Sequence, residues 1–169
     1  MQEQKPVSHI VAGLIIAAIM VVYSIGLNFM GLMQNRALGW LGYGIMLVGL
    51  IVFINMYGKA KNYQVGFGGL FGYGFKTTAI MALVLVIFLI CFFMIFPEYK
   101  DKIMEAARKG MEEGGKMSDE QIEQGLSMYS KNFMVFTVGG ALFMYILLGA
   151  IGSLIGAALT KKKPVNPLQ

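Results

Sequence analysis

Lys76 has the most unusual setting of any ionisable side chain in this sequence. It stands in Phe75-Lys76-Thr77-Thr78, at the head of a run that carries no further charge until Glu98. An ammonium group there has two readings. The plain one is a lysine that snorkels to anionic headgroups. The functional one is a charge that faces a helix bundle and pairs with an anionic ligand or a lipid head.

Other reactive residue types are present but not grouped. His9 has no partner at metal-ligand spacing and reads as an interfacial residue. The sole cysteine, Cys91, lies inside an apolar run, so neither a lipid anchor near the N-terminus nor an internal disulfide is expected. The 14 methionines are scattered without a clustered thioether pair, which fits packing filler and not a copper path. Asn28, Asn55, Tyr23, Ser24, Tyr43 and Tyr145 lie in apolar surroundings, where polar groups tie helices together. No Asp, Glu or Arg interrupts the long apolar runs, which disfavours transport coupled to protons or cations through a carboxylate in the bilayer. Without a nucleophile–base pair or a metal-ligand set, no catalytic residue, cofactor or metal is expected, and the chain reads as a non-enzyme.

The elements that hold these residues follow from where charge is absent. Residues 6–35, 37–58, 77–97 and 132–160 contain no Asp, Glu, Lys or Arg. Each is longer than the roughly 18 apolar residues that mark a spanning helix. Hydrophobic residues make up 57% of the chain and charged ones 14%, where soluble domains carry about 25% charged. This excludes a soluble enzyme, a nucleic-acid binder and a disulfide-stapled secreted domain. Because backbone groups in hydrocarbon must pair within the structure, the runs are predicted to be helices. The expected fold is an all-α integral membrane protein, a single membrane domain over 1–169 with spans at about 8–33, 37–57, 68–96 and 132–160. The first apolar run is too long for a signal-peptide core and is expected to be retained. A tight turn around Gln34, Asn35 and Arg36 joins the first two spans. Trp40 and the tyrosines near span ends fit an aromatic belt.

Two segments break the pattern. Residues 62–75, NYQVGFGGLFGYGF, are too short to cross and predict an interfacial turn or two leading into the third span. Phe67, Phe71 and Phe75 share one helical face there, and Gly68 and Gly72 another. Residues 98–131 hold six basic and eight acidic residues and predict an extramembrane helical hairpin. Pro97 opens it, Gly114-Gly115 breaks it, and Ser118 to Gln121 matches a capping box. Tyr99, Ile103, Ala107 and Met111 form one apolar face, and Ile122, Leu126, Tyr129 and Phe133 the other. The second arm is expected to run straight into the fourth span. That span ends at the tail, 161–169, where Pro164 and Pro167 stop any helix.

Small residues indicate helix packing. Gly149, Gly152, Ser153 and Gly156 form a small-xxx-small face on the fourth span, with Gly13 and Ala17 on the first and Gly68 and Gly72 before the third. The fourth-span face packs either within its own bundle, the expected outcome, or against a second copy. A raw count of basic residues ties between the two sides. Those of the terminal side sit in short segments beside the spans, so both termini are expected in the cytoplasm.

Gly-Tyr-Gly-Phe-Lys at Gly72 to Lys76, Phe-Pro-Glu-Tyr at Phe96 to Tyr99, Met117 to Gln124 and a glycine-rich last span ending in lysines occur in this order. In this the chain resembles a family of small bacterial membrane proteins of uncharacterised role, domain of unknown function forty-one ninety-nine. The resemblance implies four spans and a Gram-negative inner membrane, and it brings no activity or catalytic residues. The expected function is a structural or accessory membrane protein whose partners are the lipid bilayer and another membrane protein or a second copy, with no nucleic acid. The alternative is an oligomeric small transporter or channel without an intramembrane carboxylate.

Overall fold

The computed structural model describes residues 5–33 and 35–163. Among them are six helices and no strand: α1 (His9–Phe29), α2 (Arg36–Ala60), α3 (Phe67–Ile95), α4 (Glu98–Glu113), α5 (Asp119–Lys131) and α6 (Phe133–Leu159). Helices α1, α2, α3 and α6 are long and apolar enough to cross a bilayer, so the chain is an all-α membrane protein with a charged helical pair between its third and fourth spans.

Local chemistry sets the helix ends. The Ser8 hydroxyl accepts from the Val11 amide at 3.2 Å and starts α1. Helix α1 stops at Phe29, earlier than the expected Met33, because Gly31 turns left-handed at φ +67°. The Asn35 side chain accepts from the amides of Ala37 and Leu38, which makes Arg36 the first residue of α2 and not part of a turn. Gln34, expected in that turn, lies outside the described residues, as do Pro164 and Pro167.

The chain divides into two compact units, Met1–Leu85 with Met144–Gln169, and Val86–Phe143. In the first, Ile16, Ala17 and Met20 of α1, Met46 and Leu50 of α2, and Met81 and Leu85 of α3 form one buried cluster, with Leu148 of α6 against it. Ala12, Ile54, Leu70, Tyr73 and Ala157 form a second. Large apolar side chains such as Val22, Trp40, Val48, Leu83 and Leu159 face outward, as expected where lipid and not water is the solvent.

Four helix ends of this unit meet. Gly58 near the end of α2 packs on Thr160 just past α6, and the Lys163 amide donates to the Tyr63 carbonyl at 2.8 Å. The Tyr73 hydroxyl of α3 donates to the Val7 carbonyl at 3.0 Å, just before α1. Asn62 and Tyr63, between α2 and α3, are both left-handed (φ 52° and 60°), a conformation that disfavours tyrosine. Tyr63 is held there by its amide donating to Gly58 and its carbonyl accepting from Lys163. Of the stretch 62–75, expected as interfacial turns leading into the third span, residues 67–75 are the first turns of α3 itself.

In the second unit α4 and α5 form the hairpin. Gly114 caps α4 and Gly115 turns left-handed at φ +60°. The capping box at Ser118 and Gln121 is present in both directions. Ile122 and Leu126 are buried, and Met111 lies against Gly125. Arg108 pairs with Glu123 across the hairpin. Phe92 is ringed by Phe88, Phe96 and Tyr99 with centroids 5.0 to 6.0 Å away. Phe93 and Tyr129 close on Phe133. One expectation fails: α5 does not run straight into α6. Asn132 interrupts them at φ −116°, ψ 28°: its amide still makes the helical bond to the Met128 carbonyl, and its side-chain Nδ2 folds back to donate to that same carbonyl, a local side-chain bond that competes with the regular helix.

Candidate functional site

Residues singled out in the sequence fall into three places. The first is a seam of small residues inside the first unit. A Cβ on Gly149 would collide with the Thr78 side chain, one on Gly152 would come within 2.8 Å of Leu47, and one on Gly156 within 2.6 Å of Ile54. Ser153 is fully buried and donates to the Gly149 carbonyl at 2.7 Å. The fourth-span face therefore packs against α2 and α3 of its own chain. Gly13 approaches the Thr77 carbonyl in the same way. The α3 side of this seam, Gly74, Thr77 and Thr78, was not singled out. The signal was available, since Gly74, Thr78 and Ala82 repeat every four residues as small-xxx-small.

The buried hydroxyls of this seam serve their own helices. Thr77 donates to Tyr73, Thr78 to Gly74 and Thr160 to Gly156, each to the carbonyl four residues back. Among the described residues no buried side-chain N or O lacks a partner, and no three His, Cys, Asp or Glu side chains group to hold a metal. Of the other polar groups, the Tyr23 hydroxyl ties α1 to the Leu38 carbonyl of α2 at 2.8 Å. Tyr43 and Tyr145 bring their rings to 6.3 Å.

The second place is a cleft of about 550 Å³ where the helix ends of the first unit meet. Lys76, Lys61, His9 and Tyr57 line it, and so do Gly68 and Gly72. Here the glycines differ from the expectation. At neither would a Cβ meet another heavy atom within 4 Å, so they do not seat a neighbouring helix. They bare the backbone of α3 along one wall of the cleft. Phe67, Phe71 and Phe75 stack along a separate face with centroids 6.5 and 5.9 Å apart, which leaves the glycine face free of bulk. Tyr57 and Tyr73 stack nearly parallel at 4.2 Å and stiffen the wall. Lys76 is exposed, so its ammonium is not buried within the bundle.

The third place is the hairpin. A shallow groove on it is lined by Lys116, Met117, Gln121, Gln124, Gly125 and Met128. Met117, in the bend before Ser118, and Met128, on α5, are 54% and 58% exposed. Within α4, Lys109 bonds Glu105 at 2.8 Å. That hydrogen bond, and then the charge itself, holds the Glu105 carboxyl below its ordinary value and raises Lys109. The hydrogen bond to Glu123 likewise raises Arg108.

No curated protein and no solved structure matches this chain. A family model does, over residues 10–162, from the second residue of α1 to the lysines that follow α6. With all four spans and the hairpin inside that match, the chain belongs to the family described as Protein of unknown function (DUF4199).

Proposed function

We propose that this chain is a non-enzymatic accessory protein of a bacterial inner membrane that engages another membrane protein through its α4–α5 hairpin. The hairpin carries the reading. It is held by its own capping box, by the cross-hairpin pair Arg108–Glu123 and by buried Ile122 and Leu126. It nevertheless leaves two methionines exposed beside a glycine and two glutamines. Flexible thioethers on an ordered, charged platform suit an adaptable protein contact. The seam of α6 is occupied within the chain, which weighs against the oligomeric transporter.

Both termini lie in the cytoplasm on this reading and the hairpin lies outside it. Lys5, Lys59, Lys61, Lys76 and Lys161 to Lys163 flank the spans closely, the placement that the positive-inside rule counts.

Two measurements test these statements. A photo-crosslinking amino acid at position 117 or 128, activated in native membranes, is expected to give one discrete protein adduct. The same residue at position 22 is expected to give lipid only. Adducts at neither hairpin position would remove the accessory reading. For orientation, cysteines placed at positions 115 and 166 (in a Cys91→Ala background) are labelled in intact cells. Labelling at 115 alone is expected, and labelling at 166 alone reverses the assignment.

A further inference from the structure

The cleft at the lysine-rich end of the first unit plays no part in the accessory reading and stands on separate observations. Its depth follows from α3. That helix has 29 residues and is about 43 Å long at 1.5 Å per residue, well beyond a hydrocarbon core of about 30 Å. Lys76 is the one charged residue of α3, and the part that follows it, residues 77–95, accounts for about 28 Å and by itself matches the core. Lys76 therefore stands at the hydrocarbon boundary, and residues 67–75 rise through the headgroup layer. The cleft lies beside those turns and is lined from Gly68 and Gly72 down to Lys76.

No side chain closes the cleft over Gly68 or Gly72. Gly68 and Gly72 present bare backbone with no heavy atom within 4 Å of a Cβ, while the three stacked phenylalanines occupy another face. The stacked pair Tyr57 and Tyr73 joins α2 to α3 beside the cleft, and the Tyr73 hydroxyl is anchored on the Val7 carbonyl.

Charge then selects the ligand. Lys61 and Lys76 both line the cleft. Glu3 is the only acidic residue of the chain outside residues 98–131, so no described residue of this unit offers either ammonium a carboxylate. At the hydrocarbon boundary the anion in steady supply is the phosphate of a lipid. We propose that this cleft binds the phosphate of an anionic glycerophospholipid, with Lys61 and Lys76 clamping the headgroup, the glycine backbone of α3 admitting it and the acyl chains left in the bilayer.

The test uses the full chain in detergent, titrated with phosphatidylglycerol or phosphatidylcholine and read by native mass spectrometry. One phosphatidylglycerol is expected to be retained in preference to phosphatidylcholine. Lys61→Gln and Lys76→Gln are each expected to weaken retention about fivefold, and the double variant about thirtyfold, from roughly 1 kcal/mol per lysine near an anionic headgroup. Gly72→Leu is expected to weaken it as strongly as the double variant, because Gly72 lines the cleft and a Cβ there meets no heavy atom within 4 Å, and its melting temperature is read alongside to show that the variant is folded. Lys59→Gln, at the same end but not lining the cleft, is expected to have no effect. Equal retention of the two lipids overturns the proposal, as does a loss in Lys59→Gln as large as that in Lys76→Gln. So does a folded Gly72→Leu that keeps its lipid. A lipid-free arm decides the source of the phosphate. If millimolar inorganic phosphate alone raises the melting temperature of the parent chain but not of Lys76→Gln, the ligand is a soluble phosphate and the lipid assignment falls.

Discussion

Gly149 shows how much of this structure rests on single hydrogen atoms. A Cβ there would stand 2.6 Å from Thr78 Oγ1 and 2.9 Å from Thr78 Cβ, closer than any packed pair tolerates. Thr78 has no room to turn aside, because its hydroxyl is bonded to Gly74 and the residue is almost fully buried. Gly149→Ala is therefore expected to destabilise the chain by about 1–3 kcal/mol, the usual effect of overpacking, seen as a lower melting temperature in detergent. Thr78→Ala in the same chain is expected to recover most of the loss. Gly139, on the same helix with nothing within 4 Å of a Cβ, provides the contrast, and Gly139→Ala is expected to be neutral or slightly stabilising through helix propensity. Equal effects at 149 and 139 would show that the seam is not closely packed. The spacing of Gly149, Gly152, Ser153 and Gly156 was legible in the sequence. Their partners were not, because a threonine whose hydroxyl folds back on its own helix looks in sequence like any polar residue. The same ambiguity misplaced Gly68 and Gly72: four-residue spacing marks a bare helix face but not whether a helix or a ligand covers it.

At the scale of the element, what could be read depended on which force sets an end. Long apolar runs allow one backbone solution in lipid, so the existence of α1, α2, α3 and α6 was legible within a few residues. Ends fixed by a side chain on its own backbone were legible too, as at Ser118 and at Gly114-Gly115. The break at Asn132 was not, since it depends on an amide side chain choosing the Met128 carbonyl in a stretch otherwise suited to helix. For the legible ends, Ser118→Ala is expected to lose about 0.5–2 kcal/mol of local stability, read as faster hydrogen exchange at the first amides of α5 with α4 less affected. Uniform lack of protection over residues 98–131 would mean that the hairpin is not folded. The hairpin's response to acid has a definite sign. The Glu105 carboxyl is lowered by Lys109, so its contribution is complete above the unfolded glutamate value of about 4.3. It fades as pH falls through the lowered value. Lys109 is raised by that same bond, so on its side the contribution is complete below the ordinary lysine value of about 10.4 and is lost as pH rises through the raised value, while in acid it fades together with Glu105. Helical chemical shifts of α4 are thus expected to hold from pH 8 to pH 5 and to decline below about pH 4.3. Glu105→Gln should remove that part of the decline; an unchanged acid response in this variant would rule out the Glu105–Lys109 pair as its source.

For the whole molecule, the division of charge was the most legible feature: eight of the nine acidic residues fall in residues 98–131. Which helix faces meet was beyond it, because lipid is as apolar as leucine and burial leaves no hydrophobic stripe to read. The small-residue face of α6 therefore decides between a bundle closed on itself and one that pairs with a second copy. Its contacts are with its own chain: a Cβ on Gly152 would reach Leu47 at 2.8 Å and Leu50 at 3.3 Å, and one on Gly156 would reach Ile54 at 2.6 Å and the backbone of Ile51 at 3.4 Å. Leu47, Leu50, Ile51 and Ile54 all belong to α2, and Leu50 and Ile54 are fully buried. Replacing both glycines by leucine would push α6 away from α2 and open both buried clusters of the first unit. Helix association in lipid depends on such close approach, so Gly152→Leu with Gly156→Leu is expected to lower the melting temperature of the monomer sharply. Any crosslinked dimer formed by chains that remain folded should persist, because this face does not contribute to it. Thermal melts and crosslinking on the same double variant separate the two arrangements. A monomer with an unchanged melting temperature that has lost only its dimer would place the seam between copies and contradict the packing of α6 on α2.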